Sequence, residues 1–288
     1  MKIIIPIAVF LLAVFLVRKY FFRQWKEAET PFPKKWKTLL AKNINFYNAL
    51  SNTEKNYFEL RVQEFLLNYQ ITGIDTKVTI EDKLMVAASG IIPIFKFHDW
   101  RYSNLDEIII YPNTFNLDYE TEGEDRRILG MVGNGALNGK MILSQQALRH
   151  GFKNTSDKKN TAIHEFVHLI DMMDGQIDGI PKALLERPYC IPWLDLMYKK
   201  IEEINSDKSD INKYGGTSEI EFFAVASEYF FERPKLLARK HPKLYEMLEG
   251  IFDHEMDERK LKAIPRLERN HVCPCDSGLK YKDCCLRS

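Results

Sequence analysis

The sequence predicts an α+β fold in which short strands come early and helices come late. Segments rich in β-branched and aromatic residues lie between residues 76 and 143, whereas apolar residues at helical spacing dominate from residue 161 onward. The pattern lacks the regular alternation of strand and helix that would indicate a parallel βαβ fold. The chain has 288 residues, of which 45% are hydrophobic, enough for one sizeable core.

The first globular elements are predicted to be helices. Residues 25–38 form a linker that contains prolines and lysines, and two helices follow it. The second helix begins near Ser51, because Ser51 and Glu54 have the spacing of a capping box. Gly73 is expected to end that helix.

Short strands are predicted in the middle of the chain. Alternating residues at Lys77–Ile80, an apolar run at Leu84–Ala88 and a β-rich segment at Glu107–Tyr111 indicate three of them. A polar, glycine-containing loop or hairpin covers residues 116–138, and Met141–Leu143 follows it as a further strand.

The second half of the chain is predicted to be mostly helical. A helix is expected at residues 161–174, with Asn160 as its N-cap and Gly175 just after its last turn. Pro234 is expected to close a later helix. The other helical segments, identified by the spacing of their apolar residues, are 182–205, 219–232 and 241–260.

The N-terminal segment differs from the rest in being almost continuously apolar. Ile3–Val17 carries no charge, and a helix that continues to Phe22 spans about 30 Å, close to the thickness of a bilayer core. Basic residues follow the run without a small-residue cleavage site, which disfavours an excised signal peptide. An amphipathic or buried helix is the alternative. Residues 1–24 are therefore predicted to be a single-pass anchor in the cytoplasmic (inner) membrane, with the remaining chain in the cytoplasm.

The motif His-Glu-Phe-Val-His at residues 164–168 indicates a metal site. His164 and His168 lie one helical turn apart on the same face, so both imidazoles can bind one zinc ion. Glu165 is then placed to act as general base toward a water activated by the metal. A pair of surface histidines is the alternative, but apolar neighbours such as Phe166 and Val167 give this helix a packed side.

A catalytic zinc site needs a third protein ligand and an open fourth position. Glu219, Glu221 and Glu228 all lie on the helix predicted at residues 219–232. Ser218 and Glu221 also have capping-box spacing, which offers Glu221 a purely structural role. Spacing alone leaves the choice between Glu221 and Glu228 open.

Two segments of the chain resemble the Mlc titration factor A family of bacterial zinc peptidases. The first is Asn160–Asp171, which contains the histidine motif, together with Gly151–Asp157 just before it. The second is Tyr214–Phe231, in which a tyrosine precedes a glutamate by seven residues and Phe-Phe-Ala follows that glutamate. The resemblance covers roughly residues 31–262.

The resemblance implies a zincin-like fold of the gluzincin type, with a small mixed sheet and active-site helices. It implies that Glu221 is the third zinc ligand and that Tyr214 donates a hydrogen bond to the oxyanion of the reaction. It further implies an aminopeptidase or limited peptidase that acts on a peptide or protein substrate. Because a family member binds a glucose-responsive transcriptional repressor, a transcriptional regulator is an expected partner.

Two further roles are assigned by position. Asp171 follows His168 by three residues, so its carboxylate can lie beneath the histidines and accept a hydrogen bond from one of them. A carboxylate on the helix surface is the alternative for Asp171. The strand around Met141–Ser144 is expected to be the sheet edge that pairs with an extended substrate, and an ordinary sheet strand is the alternative.

Four of the five cysteines lie in the last 16 residues, in the pairs Cys273/Cys275 and Cys284/Cys285. This segment resembles the SEC-C motif, in which four thiolates can complete a closed, structural zinc site. A redox-active cysteine cluster is the alternative. The expected organisation is an anchor at residues 1–24, a zinc metallopeptidase domain at 25–265 and a SEC-C zinc-binding tail at 266–288.

The residues thus predict a zinc-dependent peptidase with one catalytic and one structural Zn²⁺ ion. The alternative is a regulatory protein that binds a transcriptional repressor or another partner, with hydrolysis secondary. A purely structural zinc protein is disfavoured, since it would need neither Glu165 nor Tyr214. The net charge of +1 provides no global attraction for nucleic acids, so no direct nucleic-acid partner is expected.

Overall fold

The computed structural model describes residues 25–121, 127–133, 137–154, 157–185, 187–261, 268–273 and 278–284. The elements before the catalytic motif are α1 (Lys34–Asn43), α2 (Asn45–Ala49), α3 (Asn52–Asn68), β1 (Gln70–Gly73), α4 (Ile80–Ile91), β2 (Leu105–Tyr111), β3 (Gly130–Val132), β4 (Gly139–Ser144) and α5 (Gln145–Lys153). The later helices are α6 (Thr161–Asp171), α7 (Arg187–Asn205), α8 (Glu219–Glu232), α9 (Pro234–Lys240) and α10 (Pro242–Phe252).

Local capping signals place the helix starts where the sequence predicts them. Ser51 and Glu54 form a reciprocal capping box at the start of α3. The side chain of Asn160 accepts a hydrogen bond from the N–H of Ile163, so Asn160 is the N-cap of α6. Helix α3 ends before the predicted Gly73, because the chain turns into strand β1 directly after Tyr69.

The predicted strand at Leu84–Ala88 is wrong, because this segment lies within helix α4. Thr79 and Asp82 form a capping box that starts the helix, so Lys77–Ile80 is the approach to a helix and not a strand either. Residues Leu84 to Ala88 are buried on all sides of the helix, and a fully buried helix shows no periodicity that distinguishes it from a buried strand. The strands predicted at Glu107–Tyr111 and Met141–Leu143 are confirmed as β2 and β4.

Within the described residues, the strands form one mixed sheet in the order β1-β2-β4-β3. Strands β1, β2 and β4 are parallel, and β3 runs antiparallel to β4. The prediction that Met141–Ser144 forms a sheet edge is wrong, because β4 has a partner on each side. The short hairpin partner β3, which the sequence pattern left inside a loop, occupies the edge position.

The core is built around the two helices that carry the predicted metal ligands. Phe166 of α6 and Phe222, Phe223 and Phe230 of α8 are completely buried, and helices α4, α5 and α7 pack around them. These contacts confirm an α+β architecture with a small mixed sheet. Because both helices lie in the centre of the core, their mutual position is determined by close packing rather than by a loop.

The single-pass membrane location predicted from the sequence is contradicted. Among the residues that the structure describes, no helix is long and apolar enough to cross a bilayer. A span needs about 20 mainly apolar residues, whereas the 19-residue helix α7 carries charged residues and a proline. The predicted anchor itself, residues 1–24, lies outside the described residues.

Candidate metal centre

Helix α6 presents two imidazoles to one point in space. His164 and His168 are both nearly buried, at 8% exposure each, and their ring centroids are 4.6 Å apart with the planes at 84°. The hydrogen bond from Ile163 to Asn160 fixes the first turn of α6, and the apolar side chains of the helix anchor it in the core. The pair therefore lies on a rigid element, as a metal site requires.

The third candidate ligand is a carboxylate from the first turn of α8. The hydroxyl of Ser218 accepts a hydrogen bond from the N–H of Glu221, so Ser218 caps the helix as its spacing suggests. The carboxylate of Glu221 points to the histidines, with Oε2 at 3.0 Å from Nε2 of His164 and 3.6 Å from Nε2 of His168. Capping and ligation are therefore compatible, because the cap uses the Glu221 backbone and leaves its carboxylate for the site.

These three residues fit a zinc ion. Their ligand atoms all lie within 4.8 Å of one another. In a tetrahedral site with ligand bonds of about 2.05 Å, neighbouring ligand atoms are about 3.3 Å apart, between the two distances to Glu221. Two imidazole nitrogens and one carboxylate oxygen are also the donor set of a catalytic zinc site with an open position.

The electrostatic environment favours a cation at this point. Burial by itself lowers the pKa of the His164 imidazole, but the carboxylates of Glu228 and Glu221 outweigh burial and raise the pKa to about 10. For Glu221 the effects are reversed. Burial raises the pKa of its carboxyl group, but the two histidines lower it far below its ordinary value. Carboxylates that stabilise a proton on the imidazole stabilise a metal cation at the same position.

Glu228 determines which nitrogen of His164 faces the site. Its Oε1 lies 2.8 Å from Nδ1 of His164, and its Oε2 accepts a hydrogen bond from the backbone N–H of Asn160. When Nδ1–H donates to Glu228, the lone pair of Nε2 faces Glu221 and is available to a metal. Glu228 thus orients His164 from behind, while Glu221 lies in front of it.

Glu165 lies beside the candidate metal ligands and against the edge strand. Its side chain is 6% exposed, and burial raises the pKa of its carboxyl group, although the two histidines oppose this effect. Strand β3 passes so close that a Cβ atom on Gly130 would be 2.7 Å from Cγ and 2.8 Å from Oε1 of Glu165. Only glycine at this position leaves the carboxylate of Glu165 undisturbed.

Tyr214 approaches the site from a short 3₁₀ helix at Lys213–Gly216. The side chain of Asn212 accepts a hydrogen bond from the N–H of Tyr214, and the phenol ring stacks on His164 with centroids 6.0 Å apart. Burial and the charge of Glu221 raise the pKa of Tyr214 to about 12, so the phenol keeps its proton at neutral pH. Tyr214 as a whole is still 52% exposed, so it lies at the open side of the site.

Four of these residues, His164, Glu165, Tyr214 and Glu228, line one open cleft of about 360 Å³. Its walls come from the segment that enters β3, from the start of α6 and from the loop before α8, and they include Arg127, Gly130, Lys159, Thr161, His164, Glu165, Tyr214 and Glu228. The cleft thus joins a candidate metal site, a buried carboxylate and an exposed phenol in a space that solvent or a peptide can enter.

The sequence matches the family model described as glucose-regulated metallo-peptidase M90 over residues 19–253. The chain belongs to this family. An uncharacterized protein of Synechocystis sp. is 30% identical over 244 residues, which cover 79% of this chain and 88% of that relative. Proteins named Mlc titration factor A are 26% identical over 241 residues in Escherichia fergusonii (77% of this chain, 87% of the relative) and 25% over 237 residues in Serratia proteamaculans (76% and 87%). The resemblance stated from the two sequence segments is confirmed.

A separate model, the SEC-C motif, matches residues 269–287 of this M90 chain. Cys273 and Cys284 are buried together with Tyr281 in one small cluster, whereas Cys275 and Cys285 lie outside the described residues. Thiol groups held side by side in this way are suitable ligands for zinc.

Asp171 contacts neither imidazole through a hydrogen bond in this M90 structure. Its Oδ2 accepts a hydrogen bond of 2.9 Å from the N–H of Gly179. Among the described residues, its Oδ1 and the Nδ1 of His168 are both buried without a hydrogen-bond partner. Burial raises the pKa of Asp171 to about 6, although the bond from Gly179 opposes it.

Two residues of this M90 site contribute more than the sequence pattern indicates. Glu228 was a candidate ligand, and its position seven residues after Glu221 on the same helix face was the only signal of its role. Gly130 had no signal, because the close approach of β3 to α6 connects segments that are distant in the chain. Both residues position a group that the sequence motif does predict.

Proposed function

We propose that this chain is a zinc-dependent peptidase of the gluzincin type. The observation that carries the proposal is the convergence of His164, His168 and Glu221 within 4.8 Å, next to the buried Glu165. A structural zinc site needs neither a nearby general base nor an open cleft. We place the peptidase domain at residues 25–265 and the SEC-C tail at residues 266–288.

In this proposal His164, His168 and Glu221 hold the catalytic ion through Nε2, Nε2 and a carboxylate oxygen. When bound, zinc supplies a water of lowered pKa and a Lewis acid for the peptide carbonyl. Glu228 keeps His164 in the required tautomer through the contact at Nδ1. A second, structural zinc ion is proposed for Cys273, Cys275, Cys284 and Cys285.

Glu165 is the proposed general base and acid. It takes a proton from the attacking water and passes it to the leaving amine, which suits a carboxyl group whose pKa burial has raised. Tyr214 donates a hydrogen bond to the developing oxyanion, since its phenol is protonated and reaches into the cleft.

Asp171 is proposed to accept a hydrogen bond from Nδ1 of His168. Both atoms are buried, lack a partner among the described residues and lie three residues apart on one helix. A hydrogen bond between them would satisfy both groups, as buried polar atoms require. The role parallels that of Glu228 at His164.

An extended substrate is proposed to pair with β3. This strand lies at the end of the sheet, and no described strand covers its outer side. Its backbone at Gly130 passes directly beside Glu165, so a peptide added to this edge is brought to the catalytic base.

The decisive experiment is the substitution Glu165→Gln. Removal of a general base lowers hydrolysis by about 10²- to 10⁴-fold, whereas the three ligands and both zinc ions remain. Peptide hydrolysis and zinc content are measured on the same preparation. Unchanged hydrolysis in Glu165→Gln disproves the assigned mechanism. Peptides with free and with blocked N-termini, compared in the parent protein, test whether the activity is that of an aminopeptidase.

A second candidate function is regulation by binding. Several relatives carry the name Mlc titration factor A, which describes those proteins as factors that titrate Mlc. This chain would by analogy bind a transcriptional regulator, with hydrolysis secondary. Binding to such a regulator that is equal in the parent and in Glu165→Gln, together with no hydrolysis by the parent, favours this second function.

A further inference from the structure

Helix α5 contacts the SEC-C tail along a single stripe. Gln146, His150 and Asn154 follow one another at intervals of four residues, so their side chains lie on one helix face. The ring of Tyr281 stacks on His150 with centroids 5.5 Å apart and planes at 14°. The Asn154 amide donates a hydrogen bond of 3.4 Å to the Tyr281 hydroxyl, and the Gln146 amide contacts the sulfur of Cys284.

The contact is buried on both sides. Tyr281 and His150 are each 7% exposed, and Asn154 is 1% exposed. On its tail side, Tyr281 packs with Cys273 and Cys284, two of the proposed zinc ligands. A tail of about 20 residues cannot bury a core of its own, and here α5 supplies the surface that it lacks.

The segment after α5 continues toward the histidine site. The Asn154 amide also donates to Oδ2 of Asp157 at 2.8 Å, and Oδ1 of Asp157 accepts from the backbone N–H of Lys159. The next N–H, that of Asn160, donates to Glu228, whose other oxygen contacts His164.

A packing contact reinforces this connection. A Cβ atom on Gly151 of α5 would lie only 3.0 Å from Cγ and 3.1 Å from Cα of Asn160. Helix α5 therefore lies directly against the N-cap of the helix that carries both histidines. A shift of α5 toward α6 therefore presses on Asn160.

We propose that the zinc-loaded tail docks on α5 and thereby holds the Glu228 support of His164, so that the two metal sites are coupled. Metal folds the tail, the folded tail places Tyr281 on His150, and α5 keeps Asn160 and Glu228 in position. Coupling between two sites is reciprocal, so each metal raises the affinity of the other. Loss of zinc from the tail weakens the histidine site. The inference rests on the proposed function in so far as it assigns metal to that site.

The test uses the full-length protein with Tyr281→Leu, which removes both the ring stack and the hydroxyl. Zinc affinity at the histidine site, measured by competition with a chelator, is expected to fall by about 2- to 30-fold, the range for substitutions between coupled sites. Hydrogen exchange at residues 157–163 is expected to accelerate. Tyr281→Phe keeps the ring and should change both values less. Val272→Ala is the matched control, since Val272 is in the tail but 69% exposed.

Cys273→Ser provides an independent route to the same state, because it removes a proposed tail ligand without a direct change to the Tyr281 stack or to the contact between Gln146 and Cys284. It is expected to accelerate exchange at residues 157–163 as Tyr281→Leu does. Unchanged exchange in both variants, measured on folded protein, overturns the inference. If the parent binds no zinc at the histidine site, the proposed function fails, and the exchange measurement still decides whether the tail docks on α5.

Discussion

The histidine site and the cysteine-containing tail hold their candidate metal ligands by different means. In the histidine site, His164 and Glu221 are 57 residues apart in sequence and meet because α6 and α8 pack in the centre of the core. In the tail, the four cysteines lie within residues 273–285, and the described core consists of Cys273, Tyr281 and Cys284. In the proposed function, the fold thus prepares the histidine site for its ion, whereas the tail would depend on its ion to fold.

The largest effect is expected from His164→Ala. It should remove one zinc ion per chain and abolish hydrolysis, because two ligands cannot hold the ion in a catalytic geometry. The zinc of the tail and the fold of the domain should remain, since the core does not depend on the imidazole. Zinc content measures how many ions remain per chain, and circular dichroism measures whether the domain stays folded. Equal zinc content in the parent and the variant would contradict the assignment of the first site.

The next effect is expected at the edge strand. Gly130→Ala adds a Cβ atom that would lie 2.7 Å from Cγ of Glu165 and therefore displaces the carboxylate. A misplacement of about 1 Å can lower kcat by about 100-fold, while zinc content stays constant. Gly133→Ala is the control, because its Cβ would meet the nearest atom at an ordinary 3.8 Å. Equal kcat values for both variants would show that β3 does not position the base.

A smaller effect is expected from Glu228→Gln, which weakens the contact with Nδ1 of His164. Loss of such a partner lowers metal affinity by about 10- to 100-fold. Glu219→Gln, in the first turn of α8, is the matched control. Glu219 is not among the residues whose ligand atoms converge on the site, so metal affinity should not change. A chelator titration distinguishes the two variants, and equal affinities would argue against a prepared site.

The smallest effect concerns the stability of the domain in acid. Burial, with help from the charge of Arg259, lowers the pKa of His254 from 6.5 to about 3. The unfolded chain therefore binds a proton below pH 6.5 that the folded protein does not bind. Stability falls as the pH falls from 6.5 toward 3, by up to about 1.4 kcal/mol per pH unit for this group.

His254→Gln should flatten this pH dependence, since glutamine does not titrate. Its side-chain oxygen can still accept the hydrogen bond that Arg259 donates. Urea unfolding between pH 6.5 and 4 measures how steeply the free energy of unfolding changes with pH. Any contribution of the tail to that free energy is the same in the variant and its parent and cancels in the comparison. His98→Gln, at an exposed position, is the control. An unchanged slope in His254→Gln would place the acid sensitivity outside this part of the core.

Local features of the site and of the helices were predictable from sequence because they depend on neighbouring residues. Asn160 and the pair Ser51/Glu54 cap their helices through hydrogen bonds that span three residues. His164 and His168 share a face because of helix geometry alone. The segment Leu84–Ala88 was not predictable, because a helix buried on all sides and a buried strand have the same apolar sequence.

By itself, the sequence determined the two imidazoles, the base between them and a short set of acidic candidates. It could not separate Glu221 from Glu228, since both lie on one face of α8 two turns apart. Tertiary packing decided their roles, because it inserts the ring of His164 between them. Nε2 of the ring faces Glu221 and Nδ1 faces Glu228. The two nitrogens lie on different sides of the imidazole, so one carboxylate can share a metal with it and the other can only orient it.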